Sequence, residues 1–410
     1  MPHRREPISD IDRATSTPAG LPPQLVLAGV ATAIAVGFNI LLPVVPVLVE
    51  RRGPHGAGGA GTAALFAGAV AGELLSPWLM SRWSSSRLLV GGQLLTALPS
   101  LVYLLPRPDA SLMLAAAAAR GLGMGVAIVV SVALVGEFAE PHRRGRTIGY
   151  IGAALSAPGI VLPSVAIWLL EAGRVDADAL IAFAAGVAGA LLVFKLPRSS
   201  PAEPRAPSNL ITAFRRPGLG LIFAGFVLVS SSFGAIVTFA PVALPSAGVG
   251  SAAAFLFVAG IARAVSRWLA GVLGDRRPGR LVLAGGIAVT LVGLVGLAVR
   301  MNPAVVLFAG LAFGAGFGAV QTAAYLAMTA RGGSGDRNAV SALWNSGIDL
   351  GASLGGSLLG LAAARYGYAV AIWVVPAVVL VGLPIILLPS RPRPARVAEA
   401  DSLAYRAIER

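Results

Sequence analysis

Cysteine is missing from this 410-residue chain, lysine occurs once, as Lys195, and histidine three times, as His3, His55 and His142. A chain without thiols can form neither a disulfide framework nor a thiolate metal centre. The histidines all fall in polar breaks between long apolar runs, so no paired ligands or nucleophile–histidine couple can be read for metal or hydrolytic chemistry. No metal, no cofactor and no enzyme activity are expected. Charge is scarce as well. Asp, Glu, Lys and Arg make up 12% of the residues and hydrophobic types 56%, whereas a soluble domain is roughly a quarter charged. Apolar runs recur from end to end, which implies lipid rather than water as the solvent.

The formal net charge of +14 would suit nucleic acid if it lined one solvated face. The basic residues come instead in short clusters between apolar segments, so no nucleic-acid partner is expected. The first 23 residues are polar and lack a short apolar core followed by a small-residue cleavage site. The first apolar segment is therefore expected to remain as a spanning helix.

A bilayer core needs roughly 20 apolar residues per helix. Runs of that size fall near 24–48, 60–80, 88–106, 112–135, 147–170, 177–196, 219–242, 252–272, 281–299, 304–329, 339–363 and 369–389, twelve in all. With the N-terminus inside, the cytoplasmic segments hold 23 basic residues against 6 in the outside loops. The excess of basic residues in short cytoplasmic loops then predicts a multi-pass protein of the cell (plasma or inner) membrane with both termini in the cytoplasm. The longest break carries Pro197, Pro201, Pro204, Pro207 and Pro217 and reads as a semi-extended linker. The expected organisation is a cytoplasmic tail over 1–23, a six-helix bundle over 24–196, a linker over 197–217, a second six-helix bundle over 218–389 and a tail over 390–410. The fold class is all-α integral membrane.

Two landmarks suggest that the halves repeat. PWLMSRWSSSR (77–87) and GVLGDRRPGR (271–280) place Ser81-Arg82 against Asp275-Arg276 at an offset of 194, and RGLGMGVA (120–127) and FGAGFGAV (313–320) place Gly121, Gly123 and Gly125 against Gly314, Gly316 and Gly318 at an offset of 193. The glycine runs lie inside apolar helices and no lysine follows them, so they predict close helix packing rather than a phosphate loop. Transport by such a chain would be driven by a gradient.

The segment Gly271-Val-Leu-Gly-Asp275-Arg276-Arg-Pro-Gly279-Arg280 resembles the turn signature that follows spans 2 and 8 in the major facilitator superfamily. The first-half copy carries Pro77, Ser81 and Ser84 in place of the glycine, aspartate and second glycine, and keeps Arg82 and Arg87. LLPVVPVLVE (41–50), Arg120 with its following glycines and WNSGIDLGASLGG (344–356) are similar to patterns in spans 1, 4 and 11 of the drug:proton antiporters of that superfamily, and SAPGIVLP (156–163) matches part of their span 5 motif. The resemblance implies two pseudo-symmetric six-helix bundles that rock about a central cavity. It also implies that Asp275, Arg276 and Arg280, with Arg267 and Arg82, form the cytoplasmic gate.

Five ionisable residues lie deep in the spans: Glu73, Arg120, Arg263, Arg267 and Asp349. A charge at the bilayer centre costs at least about 2.5–3.5 kcal/mol, so such groups are expected to face a cavity or a partner. Glu73 and Asp349 sit roughly 10 and 15 Å from the cytoplasmic ends of their helices at 1.5 Å per residue. In the superfamily spans 2 and 11 pack together, which implies that the two carboxylates approach each other. Desolvation disfavours the charged form of a carboxyl group, so either acid can exchange a proton during transport. Arg120 matches the antiporters' span 4 arginine and implies a third member of the coupling set, or a buried partner for an acid. Arg263 and Arg267, four residues apart, share one helix face and read as structural or gating groups. Asn39, Gln321, Tyr325 and Asn345 are polar groups on helices that line the cavity in the superfamily, and Ser230, Ser231 and Ser232 are weaker candidates because serine can bond back to its own helix.

Three functions fit these features. The first is a monomeric, proton-coupled exporter of a lipophilic or amphipathic small molecule. A facilitator or importer of a polar metabolite on the same fold is the second, and the third, a membrane sensor or embedded enzyme, finds no supporting constellation of residues.

Overall fold

The computed structural model describes residues 22–138, 151–197, 214, 216, 218–244, 248, 250–274, 279–299, 302–332 and 337–387. The described chain is helical and strand-free. Twelve of its helices are long and apolar enough to cross a membrane, and we call them spans 1 to 12: Pro23–Arg52, Ala57–Met80, Ser85–Leu104, Ala110–Leu134, Ile151–Glu171, Val175–Val193, Leu219–Ala243, Ser251–Gly274, Gly279–Val299, Pro303–Arg331, Ala339–Tyr366 and Tyr368–Ile386. Each overlaps one of the twelve runs expected from hydropathy. Leu191, Phe194, Trp268 and Leu361 are 61–75% exposed, a surface suited to lipid rather than to water.

Local chemistry shapes the helices. Proline lacks the N–H that continues the helical ladder, and turns interrupt span 1 at Leu42-Pro43 and span 5 just before Pro158. Span 3 tightens to a 3₁₀ helix over Leu98–Leu104. Between spans 1 and 2 the chain reverses through Gly56, whose φ of 88° lies in the left-handed region that favours glycine. Both carboxylate oxygens of Glu50 accept hydrogen bonds there, from Gly56 N–H at 2.9 Å and Gly58 N–H at 2.8 Å. These satisfy donors that the start of span 2 leaves without helical partners. Asp109 caps span 4 in the same way, accepting from Leu112 N–H at 2.7 Å and from the Ser111 hydroxyl at 2.7 Å. Those bonds hold its carboxyl below the usual carboxylate range.

The spans pack in two sets. In the first half span 2 lies along span 4, span 3 along spans 4 and 6, and span 1 along span 6; in the second, span 8 lies along span 10, span 9 along spans 10 and 12, and span 7 along span 12. The halves meet mainly where span 2 runs along span 11 and span 5 along span 8.

Glycine contacts give the repeat a geometric basis. A Cβ on Gly121 would strike the carbonyl of Leu65, and one on Gly314 that of Ala259; Gly125 approaches the carbonyl of Ala69, and Gly318 that of Arg263. Gly123 and Gly316 press in turn on Gly92 and Thr96, and on Gly286 and Thr290. Each contacted residue in the second half lies 194 positions after its first-half counterpart. Thr96 donates to the Gly92 carbonyl at 2.9 Å and Thr290 to the Gly286 carbonyl at 2.8 Å, so the polar detail of this crossing repeats as well.

Candidate functional site

We call the side where span 1 begins and span 12 ends the termini side, and the other the far side. On the far side the two halves are in close contact. A Cβ on Gly59 would collide with the Gly356 carbonyl and lie 2.6 Å from the Cα of Gly360, and a Cβ on Gly56 would collide with the Gly360 carbonyl. Deeper in this seam the Thr62 and Thr238 hydroxyls share a 2.6 Å hydrogen bond, and the Ser353 hydroxyl donates to the Ala63 carbonyl at 3.1 Å. At its mouth His55 stands 3.2 Å from Glu50, and its ring meets Tyr368 edge-on at 5.1 Å.

Inward of the seam, spans 1, 5, 7, 8 and 10 line a small, partly open cavity. Its wall is apolar and aromatic, with Phe233, Phe255 and Phe313, and its polar side chains are Asn39 and Arg263. The aromatic wall continues as stacked rings, Phe233 to Phe317 at 5.6 Å and Phe317 to Phe313 at 5.7 Å, and reaches the first half through Phe66, 6.1 Å from Phe233.

On the termini side of the seam, span 2 brings Glu73 against span 11. The Ser346 hydroxyl donates to Glu73 Oε2 at 2.6 Å, and Asp349, almost one turn beyond Ser346, lies near enough for the Glu73 charge to act on it. Glu73 and Asp349 thus lie near each other where spans 2 and 11 meet, and Ser346 bonds to Glu73 across that contact. Ser346 was absent from the sequence reading, because serine is unremarkable in a span until its partner across the interface is known.

Arg120 takes a different place from the one expected. It is 1% exposed and is held by backbone carbonyls: Nε donates to Thr96 on span 3 at 3.3 Å and Nη2 to Gly37 on span 1. Tyr103 is close enough to feel its charge, and Nη1 has no hydrogen-bond partner. Among the described residues no carboxylate pairs with it. Glycine explains this arrangement, since the helices it draws together leave carbonyls within reach of a guanidinium, which can donate to several acceptors at once.

Of the four expected cavity groups, only Asn39 lines the cavity. Gln321, Tyr325 and Asn345 belong to a network nearer the termini side: Trp344 donates to the Gln321 carbonyl at 2.9 Å, Tyr325 shares a 3.3 Å bond with Ser341, and Asn345 donates to the Ser341 carbonyl at 3.2 Å. Ser231 and Ser232 bond back to their own helix, at 2.6 Å each. Of the gate set, Asp275 and Arg276 lie outside the described residues. Arg82 is exposed over the Trp78 ring at 4.3 Å, Arg280 is exposed, and the half-buried Arg267 stands 5.7 Å from the Trp344 ring centre. The sequence reading missed the cavity position of Arg263 and the aromatic wall. One signal was available: Phe313 occupies the place in its repeat that Arg120 holds in the other.

A sequence profile of the Major Facilitator Superfamily matches residues 27–335. No curated protein sequence matches the chain. Among solved structures, a mutant of the nucleoside transporter NupG superposes with a TM-score of 0.71 at 12% identity, covering 89% of this chain and 99% of that one. A bacterial homologue of the human lysosomal transporter Spinster, inward-facing and unoccupied, superposes with a TM-score of 0.70 at 13% identity, covering 89% and 96%.

Proposed function

Because the chain belongs to the Major Facilitator Superfamily and is a transporter rather than an enzyme, we propose that it exports a lipophilic or amphipathic small molecule in exchange for protons, in the manner of the drug:proton antiporters. In this reading the termini side is the cytoplasm, in keeping with the loop charges, and the close contact on the far side faces outward. The transporter works as a monomer.

The carboxylate pair at the contact of spans 2 and 11 carries this reading. Glu73 and Asp349 belong to opposite halves, so the protonation state of the pair and the separation of the halves are linked. With both ionised, the like charges repel across the interface; a proton on either one removes the repulsion and adds a donor. A proton therefore favours one packing of spans 2 and 11 over the other, which is the differential interaction a ligand needs to shift a conformational equilibrium. The mostly apolar cavity suits a lipophilic body better than a polar metabolite.

The test uses proteoliposomes under an imposed pH gradient, with uptake of a fluorescent lipophilic compound as readout. The wild-type protein should accumulate the compound and lose accumulation with an uncoupler. Glu73→Gln combined with Asp349→Asn should keep downhill exchange and lose the response to the gradient. Unchanged gradient-driven accumulation in the double variant would show that the pair does not couple transport.

A further inference from the structure

The cavity is electrically lopsided. Arg263 reaches it from span 8 and Asn39 from span 1, no acidic residue is in its wall, and among the described residues no carboxylate pairs with Arg263. The guanidinium lies 5.4 Å from the centre of the Phe233 ring, and the like charge of Arg267, one turn away, acts on it as well. Span 5 keeps the space in front of it open. A Cβ on Gly159 would sit 3.1 Å from Asn39 Oδ1 and 3.4 Å from Arg263 Nη2, so the missing side chain leaves the amide and the guanidinium facing one common volume. Asn39 donates through Nδ2 to the Ala35 carbonyl at 2.8 Å, and its Oδ1 faces this volume as an acceptor.

A cation with no counter-charge at membrane depth is unfavourable, and a ligand that brings a negative charge relieves it more fully than a neutral acceptor does. From the geometry of this site we infer that the substrate is an amphipathic monoanion, a carboxylate or its equivalent on an aromatic body, with a hydroxyl or N–H donor. The acid group pairs with Arg263, the donor meets Asn39 Oδ1, and the ring body stacks against Phe233, Phe255 and Phe313. Neutral analogues leave the guanidinium unpaired, and cationic ones are repelled. This deepens the reading of the chain as an exporter of lipophilic or amphipathic molecules and rests on it.

The test is equilibrium binding at neutral pH by calorimetry on the full chain in nanodiscs, with three matched probes: 6-hydroxy-2-naphthoate, its primary amide, and the corresponding aminomethyl compound. The carboxylate should bind at least about tenfold more tightly than the amide, as expected for one added charge-assisted hydrogen bond, and the ammonium should bind more weakly than either. Arg263→Gln should abolish the gap between acid and amide, and Arg263→Lys should keep a preference for the acid. Should Arg263→Gln not fold, the probe series on the wild-type protein and Arg263→Lys decides. Equal binding of acid and amide, a gap that survives in Arg263→Gln, or no binding of the naphthoate to folded protein at millimolar concentration overturns the assignment. Binding is measured without a gradient, so the two readings fail separately. Selective binding without proton-driven flux would sink only the coupling, and proton-driven flux of neutral compounds without selective binding would sink only the substrate class.

Discussion

Gly59→Ala should open the far-side seam. The added methyl would collide with the carbonyl of Gly356 and lie 2.6 Å from the Cα and 2.9 Å from the N of Gly360. These are backbone atoms, so no side chain can turn aside and spans 2 and 11 must part. Overpacking of this kind costs about 1–3 kcal/mol. The penalty falls on the closed seam alone, so it should shift the balance toward the open form by about 5- to 150-fold. The chain has no cysteine, which allows a direct readout. Thr238 is fully buried and hydrogen-bonded to Thr62 behind the seam, so a single cysteine there (Thr238→Cys) is shielded while the seam is closed. Its rate of modification by a membrane-impermeant maleimide applied from outside should rise in the Gly59→Ala background. Gly91→Ala is the matched control, since a Cβ at Gly91 meets nothing within 4 Å. Equal labelling rates in the two backgrounds would mean that this glycine contact is not what closes the far side.

Other perturbations follow from the same contacts. Arg120→Lys keeps the buried charge but cannot span both the Gly37 and Thr96 carbonyls; losing one charge-assisted bond, worth about 1.5–3 kcal/mol, should lower the melting temperature in nanodiscs, and an unchanged value would argue against the bridging role. Phe317→Ala removes a fully buried ring stacked between Phe233 and Phe313, with an expected loss of about 3–5 kcal/mol, visible as a lower melting temperature that wild-type-like melting would contradict. Exchange of one proton inward for one monoanion outward moves two charges, about 4.6 kcal/mol per 100 mV, so a potassium diffusion potential, negative on the side from which the anion leaves, should drive flux without a pH gradient. Flux indifferent to that potential would exclude this stoichiometry.

The architecture was legible because length and apolarity alone select membrane helices, and the glycine offset of 193 reported a helix crossing that occurs in both halves. The approach of Glu73 and Asp349 was legible once spans 2 and 11 were known to be neighbours. The partners of Arg120 were not legible because they are main-chain carbonyls, which every residue carries and no residue type announces. Arg263 reads from sequence as a structural or gating group, since the role inferred for it depends on what it lacks, a counter-charge, and on Gly159 of span 5, which is distant in sequence but packs directly against span 8. Tyr325 and Asn345 were placed in the cavity from the identity of their spans, whereas their helical phase directs them into the Ser341 and Trp344 network.

The glycine seam between Gly56, Gly59, Gly356 and Gly360 bears on hydration as much as on packing. Where two helices are held by interlocked leucines, separating them exposes apolar surface to water at about 25 cal/mol per Å². Here the surfaces that meet are largely peptide groups and α-carbons, and when they part, water can bind the uncovered carbonyls at once. Close contact is thereby combined with a wettable surface, so a vestibule opened on the far side would fill readily and the parting of this seam would add little to its own barrier.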